Sequence, residues 1–231
     1  MKLEDRRAAL LATIPTWYSG PAHFALVTLA AACVIAACVA LLERPAWWHA
    51  ALVPAFFAFA NLFEWWVHRG PLHHPVAGLR RLYDRHTRAH HVVFVEGAME
   101  VGHPRELRLV LFPPYLFPLF LLMNAPLLVL LSALGGLDVG LVFLASAVAY
   151  YLVYEWLHTL HHWPRTSWLG RRRVVAWLRR HHEAHHDPRR MIHGNWNVSF
   201  PLCDWLLGTT LPPAQELAPA APASASPSRS P

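Results

Sequence analysis

Cysteine and charge are both scarce in this chain of 231 residues. Its three cysteines, Cys33, Cys38 and Cys203, do not make a disulfide framework. Charged residues make up 15% of the chain and hydrophobic residues 55%, a balance that argues against an ordinary soluble domain and favours a membrane protein. The start lacks the short apolar core and small-residue cleavage site of a signal peptide, so we expect no cleaved leader.

Four long apolar runs are present, and each is long enough for a helix to cross the hydrocarbon core of a membrane. Turns at 43–45 and 135–138 join them in pairs, which predicts two helical hairpins. The third run is rich in proline, which we expect to kink or break its helix. The predicted spans are residues 22–42, 46–67, 109–134 and 139–157.

Basic residues are distributed unevenly about these spans. Of the 20 Lys and Arg residues, only Arg44 falls in a turn on the predicted far side, which is the pattern of the positive-inside rule. We therefore expect an integral protein of a bacterial inner membrane, with both termini cytoplasmic. The net charge of +6 would meet anionic head groups, so no nucleic-acid partner is expected.

Histidine, by contrast, is abundant, with 17 residues that gather mainly on the predicted cytoplasmic side. Histidines three or four residues apart share one face of a helix, and neutral imidazole binds iron, zinc or copper well. Such crowding predicts a site for two metals, the alternative being chance or pH sensing. The clusters are His68 with His73 and His74; His86, His90 and His91; His158, His161 and His162; and His181, His182, His185 and His186.

Two glutamates precede these clusters at helical spacing. Glu64 lies four residues before His68 and Glu155 three before His158, so each could accept the second ring N–H of its histidine. The alternative is that each carboxylate reaches interfacial water near a span end. Five histidines lie outside the spacing pattern. We expect them either to support the ligands from behind or to play no part in metal binding: His74, His103, His161, His181 and His193.

Over residues 60–210 the order and spacing of these residues resemble the fatty acid hydroxylase / sterol desaturase superfamily. The resemblance rests on E-W-W-V-H-R from Glu64, Y-E-W-L-H-x-x-x-H from Tyr154, H-x-x-H-H from His182 and N-W-N-V-S-F-P-L-C-D from Asn195. The box from His86 reads H-x-x-x-H-H, with one residue more than close lipid hydroxylase relatives have. The implied organisation is a cytoplasmic segment 1–20, a fatty acid hydroxylase-like membrane domain 21–210 and a disordered Pro/Ala/Ser tail 211–231.

The resemblance implies an all-α integral membrane fold, in which two transmembrane hairpins carry a cytoplasmic helical cap with a histidine-rich di-metal site. Two iron ions, or zinc in recombinant protein, would use dioxygen as co-substrate to hydroxylate or desaturate a fatty acyl, sphingoid, sterol-like, hopanoid or carotenoid lipid. The implied ligands are His68, His73, His86, His90, His91, His158, His162, His182, His185 and His186.

The surroundings of that site follow from the same resemblance. Glu64, Glu155 and Asp204 would accept hydrogen bonds behind the ligands. Because the chain carries no haem or flavin motif, a separate ferredoxin or cytochrome-type protein would supply electrons. The residues that could hold an anionic lipid head group are Arg80, Arg81, Arg105 and Arg171 to Arg173.

Two other classes of function stay open. The residues from His182 to His186 also spell H-E-x-x-H, the zinc metalloprotease motif, with Glu183 as general base. That motif leaves the other clusters without a role. A metal transporter would need ligands along a pathway near the middle of the bilayer, whereas these lie beyond the predicted span ends.

Overall fold

The computed structural model describes residues 2–212, so nearly all of the predicted disordered tail lies outside the described residues. Within this range the chain is helical, and its single β pairing is an isolated bridge between Val95 and Ala98. The α-helices are α1 (Leu3–Thr13), α2 (Gly20–Ala40), α3 (Trp47–Val67), α4 (Arg80–Arg85), α5 (His91–Val93), α6 (Leu107–Val110), α7 (Leu116–Gly135), α8 (Leu137–His162), α9 (Arg173–His185) and α10 (Leu202–Leu206). Two π-helical segments, π1 (His68–Leu72) and π2 (His86–His90), and a 3-10 helix, Pro104–Glu106, complete them.

Four of these elements are long and apolar enough to cross a membrane: α2, α3 with π1, α7 and α8. The predicted all-α fold with four spans is therefore confirmed. Helix α8 is the central one, because it packs against α2, α3 and α7 and is about half buried. Only 6 to 22% of the other three spans is buried in the described chain, as expected of lipid-facing helices.

All four spans shift at their ends, and the changes in the third and fourth bear on the site. The third begins at Leu116, because Pro113 and Pro114 separate it from the short helix α6, and a residue before proline avoids the helical conformation. The fourth continues five residues past its predicted end, to His162. This extension places His158 and His162 on one continuous helix.

The short helices form a cap at one end of the bundle. Its core contains Val93, Phe94, Met99 and Val110, against which Leu10 of α1 packs. Because α8 runs directly from the bundle into this cap, the membrane part and the cap share one rigid element.

Asp138 joins the two hairpins at the opposite end of the bundle. Its two carboxylate oxygens accept hydrogen bonds from the backbone amides of Glu43 and Arg44, both at 2.9 Å. The turn that positions Asp138 relies on Gly136, whose φ of 91° favours glycine. A β-carbon at Gly140 would collide with Ser132, so glycine also allows α7 and α8 to approach closely.

We expect Asp138→Ala to lower the thermal unfolding temperature by several degrees, because both turn amides lose their acceptor. Asp138→Asn, which keeps one carbonyl oxygen, should give a smaller decrease. The measurement is thermal unfolding in detergent, with Glu43→Gln as the control that leaves the backbone amides paired. Equal unfolding temperatures for Asp138→Ala and Glu43→Gln would contradict the link between the hairpins.

Candidate metal centre

Ten buried histidines converge where α8 enters the cap, and they are the ten that the resemblance implied as ligands. The first group consists of His68, His73, His86, His91 and His185. The second group consists of His90, His158, His162 and His182. A third set, His90, His91 and His186, joins the two. In each set the candidate ligand atoms all lie within 4.8 Å of one another.

The spacing between ring nitrogens suits metal binding. The Nε2 atoms of His68 and His86 are 2.8 Å apart, and those of His162 and His182 are 3.3 Å apart. Two nitrogens that each bind one metal at about 2.1 Å are separated by about 3.0 to 3.4 Å, depending on the angle between them. His186 extends the second group, because its Nε2 lies 3.0 Å from that of His182.

Backbone carbonyl groups fix the orientation of half of these rings. An Nδ1–H that donates to a carbonyl leaves the Nε2 lone pair free for a metal. The pairs are His68 with Trp196, His90 with Leu109 at 3.1 Å, His162 with Met99 at 2.8 Å, His185 with Gly194 at 2.9 Å, and His186 with Phe94 at 2.6 Å. For His68, the predicted carboxylate partner Glu64 is thus replaced by a main-chain oxygen.

Pro113 explains why the carbonyl of Leu109 is available to His90. In an α-helix this carbonyl would accept from the amide four residues later, and that residue is Pro113, which has no N–H. The proline that ends the helical path therefore frees an acceptor for a candidate ligand.

Burial keeps the cap histidines neutral. It lowers the pKa of His186 to about 3 and holds the pKa of His90 and His182 well below the ordinary value. Neighbouring imidazoles reinforce the effect for His90 and His182. A neutral imidazole has a free lone pair, so each of these rings can act as a ligand at neutral pH.

The first group is built on two π-helical segments. Segment π1 starts at His68 and π2 at His86, and in each case the histidine five residues later, His73 or His91, joins the same group. Segment π2 is a π turn, which has one residue more than an α turn and so aligns residues five apart rather than four. The extra residue of the His86 box is accommodated in this way. Segment π1 is instead kinked at Gly70, whose ψ of −105° is not helical, and the step from His68 to His73 crosses this kink.

The second group uses ordinary α-helical spacing. His158 and His162 lie four residues apart on α8, and His182 and His186 are four apart at the end of α9. Helical spacing of three or four residues, which the sequence leads one to expect for every box, does not predict segments π1 and π2. The signal for π1 was available in the helix-breaking pair Gly70 and Pro71 and in the five-residue step from His68 to His73.

Glu64 and Asp204 hold four consecutive backbone amides beside the first group. Asp204 accepts from the amides of residues 196 and 197, and Glu64 from those of residues 198 and 199. Glu64 also accepts from the hydroxyl groups of Tyr150 and Ser199. Among the described residues, Glu64 makes no hydrogen bond with His68. Instead, Glu64 binds the backbone segment of residues 196–199, and the Trp196 carbonyl of that segment accepts the hydrogen bond from His68.

Burial alone would raise the pKa of Asp204, but hydrogen bonds from His181, Thr209 and the two amides bring it below the ordinary value. His181 donates to it across 3.0 Å. Glu155, the other glutamate, accepts from the amide of Phe112 and the hydroxyl of Tyr151, and within the described chain it has no bond to His158. Glu155 therefore holds the backbone at Phe112, in the non-helical stretch between α6 and α7.

The remaining predicted residues fall outside the two groups. His74, His103 and His193 are exposed, whereas His161 is buried and bonds to the carbonyl of Val198 at 2.9 Å. Among the arginines considered for head-group binding, Arg105 donates to the Ile14 carbonyl. Arg80 lies 3.8 Å from Asp84, and the others, Arg81, Arg171, Arg172 and Arg173, are exposed.

The π2 segment makes deletion of single residues informative. Deleting Ala89 should convert the π turn to an α turn, which still aligns His86 with His91, so we expect bound metal to be retained. Deleting Ala184 should break the four-residue alignment of His182 with His186 and lower the metal content. Metal content by mass spectrometry is compared after circular dichroism has shown equal helicity. If both deletions lose metal equally, the π turn has no such role.

The comparisons with known proteins agree with this geometry. The sequence model described as fatty acid hydroxylase matches residues 52–209, a stretch that contains all ten histidines, Glu64 and Asp204. Curated proteins and solved structures gave no match. The family implies an oxidoreductase that hydroxylates or desaturates lipids and typically depends on metal. Because the match covers more than half of the described chain, the protein belongs to the fatty acid hydroxylase family.

Proposed function

We propose that this protein is a membrane di-iron oxygenase that hydroxylates, or desaturates, a C–H bond of a lipid. The observation that carries the proposal is the pair of adjoining groups of buried histidines at the cap end of the spanning helices. Family membership supplies the class of reaction. The metal, the co-substrate and the electron source are inferred from the chemistry of the site.

Iron fits the donor set. Imidazole suits iron, and ten such rings are enough for two ions with positions left for other ligands. Two irons held there would supply the reductive activation of dioxygen that attack on an unactivated C–H bond requires. In hydroxylation, one C–H bond, one dioxygen, two electrons and two protons give one alcohol and one water.

The protein's own contribution is to hold the ligands and exclude water. All ten histidines are buried, so bulk solvent does not reach the centre freely. On the side facing the membrane, Tyr154 stacks on Phe112, with ring centroids 4.9 Å apart, and lies 5.5 Å from the ring of His158. The aromatic rings of Tyr154 and Phe112 favour an apolar lipid chain that approaches from the bilayer.

A surface cavity of about 340 Å³ offers a route for electrons. Arg7, Glu100 and Arg165 line it together with Met99, whose carbonyl accepts the Nδ1–H of His162. A single hydrogen bond therefore joins the cavity wall to a histidine of the second group. We infer that a ferredoxin or cytochrome-type protein delivers electrons at this cavity.

The geometry gives less support to a metalloprotease. The carboxylate of Glu183 accepts from Arg165 at 2.6 Å and from the amide of Gly97 at 3.2 Å, so it is engaged at the surface cavity. His182 and His186 also lie among further histidines that a single-zinc protease site would not use. Both groups lie at the ends of the spans, which disfavours a transport pathway.

The uneven distribution of basic residues supports a cytoplasmic cap. Arg44 lies in the turn opposite the cap, while the other arginines of the described chain lie in the cap or beside it. We therefore propose that the metal centre faces the cytoplasm of a bacterial cell.

Metal stoichiometry tests the two-group arrangement. We expect about two iron or zinc ions per chain in the wild type, and a loss of about one in His73→Ala and in His158→Ala, which belong to different groups. His74→Ala, a neighbouring exposed histidine, is the matched control and should keep both. A single zinc that disappears with His182→Ala and persists in His73→Ala would overturn the di-metal site.

Activity is tested by lipid profiling of cells that express the protein. We expect a lipid that has gained one oxygen atom, or lost two hydrogen atoms, in the wild type and in His74→Ala. At least a hundredfold decrease is expected in His73→Ala and His158→Ala, because each removes a metal ligand. For a hydroxylated product, growth under isotopically labelled dioxygen should label the new oxygen. Label that instead comes from water would exclude an oxygenase.

A further inference from the structure

An exposed apolar stretch, residues 200–207, follows the histidines of the candidate metal centre, and we name it the closing segment. Leu206 is 74% exposed and Trp205 49%, and Phe200 and Leu207 are exposed to a similar degree. Exposed apolar residues in such a cluster mark a surface that meets an apolar partner. In a membrane protein that partner can be the bilayer, provided that the segment lies at the right depth.

Hydrogen bonds to α3 set that depth. The side chain of Asn61 donates to the carbonyl of Phe200 at 2.8 Å and accepts from the amide of Cys203 at 3.1 Å. Asn61 lies six residues before the end of α3 at Val67, which is about 9 Å along a helix that rises about 1.5 Å per residue. Trp65, in the next turn, donates to Thr209 at 3.0 Å. The closing segment thus lies beside the spanning helix rather than beyond its end.

Its apolar residues lie beside the lipid-facing turns of α3. Leu62, Phe63 and Trp66 are all exposed on α3, in the same two turns that contact the closing segment. On the other side, Trp177 of α9 contacts Trp205, with ring centroids 5.9 Å apart. The surface therefore extends from the span, across the closing segment, to the cap.

Basic residues border this surface. Arg173 and Arg180 lie four residues before and three after Trp177, so they share the exposed face of α9 with it. Arg69 lies over the ring of Trp65, with its guanidinium 5.0 Å from the centroid. Aromatic side chains with arginines at their edge are typical of elements that lie in the interface of a membrane with anionic lipids.

We propose that the closing segment and the Trp177 face of α9 form an additional membrane element that does not span, embedded in the bilayer interface with Arg173 and Arg180 at anionic head groups. This inference does not depend on the oxidation chemistry. It gives the cap a direct attachment to the lipid, besides the four spanning helices.

Depth-dependent quenching tests the embedding. A Leu206→Cys variant in a Cys33→Ala background is labelled with an environment-sensitive fluorophore, since Cys38 and Cys203 are buried. The protein is placed in nanodiscs of phosphatidylcholine and phosphatidylglycerol, which leave both faces open to solutes. Leu62→Cys is the lipid-facing reference, and Glu100→Cys, at the polar surface cavity, is the aqueous reference.

We expect quenching by lipids with a spin label near the head group to be within about twofold of that at Leu62, and quenching by iodide to be several-fold weaker than at Glu100. A Leu206 probe that behaves like the Glu100 probe overturns the proposal. Protection from both quenchers also overturns it, because a second copy of the chain or another segment would then cover the surface.

The role of the arginines is tested with spin-labelled phosphatidylglycerol and phosphatidylcholine. Stronger quenching by the anionic lipid is expected at Leu206, and Arg173→Gln with Arg180→Gln should remove the difference. Equal quenching by the two lipids in the unsubstituted protein would refute the head-group contact.

Discussion

Burial of ten imidazoles without a carboxylate between them is the constraint on which this structure depends. An apolar interior does not tolerate their charge, so each ring is neutral, and in five of them the Nδ1–H donates to a backbone carbonyl. Carbonyl groups inside a helix are already occupied by the helix. The acceptors therefore come from irregular chain, as at Met99, Gly194 and Trp196, or from a carbonyl that a proline has freed, as at Leu109. The cap is irregular because its loops must supply these oxygens.

The two acidic residues beside the first group act through the main chain. Asp204 and Glu64 divide four successive amides between them and so hold the stretch of residues 196–199 in one conformation. That stretch presents its Trp196 carbonyl to His68 and its Val198 carbonyl to His161. The two carboxylates thus orient the ring of His68 indirectly: they bind the backbone amides of the segment, and the segment's Trp196 carbonyl binds the ring.

Much of the architecture could be predicted from the sequence, because the signals are strong and local. Length and apolarity indicate the four spans, and the histidine boxes indicate which rings come together. The π segments could not be obtained from assumed α-helical spacing, since one inserted residue can be absorbed as a wider turn or can shift the whole box. The hydrogen-bond partners of Glu64 could not be predicted either. Its spacing suggested a bond to His68, but its partners, Val198 and Ser199, come from chain more than 130 residues away.

The hydrogen bond between His68 and the Trp196 carbonyl also sets an order of events during synthesis of the protein. The first hairpin and its histidines leave the ribosome long before residues 194–199, so a growing chain holds unsupported imidazoles. The centre can assemble only when the last part of the described chain has docked against α3. A truncated product or a stalled chain would therefore leave His68 and His185 without the carbonyl groups of Trp196 and Gly194 that orient them.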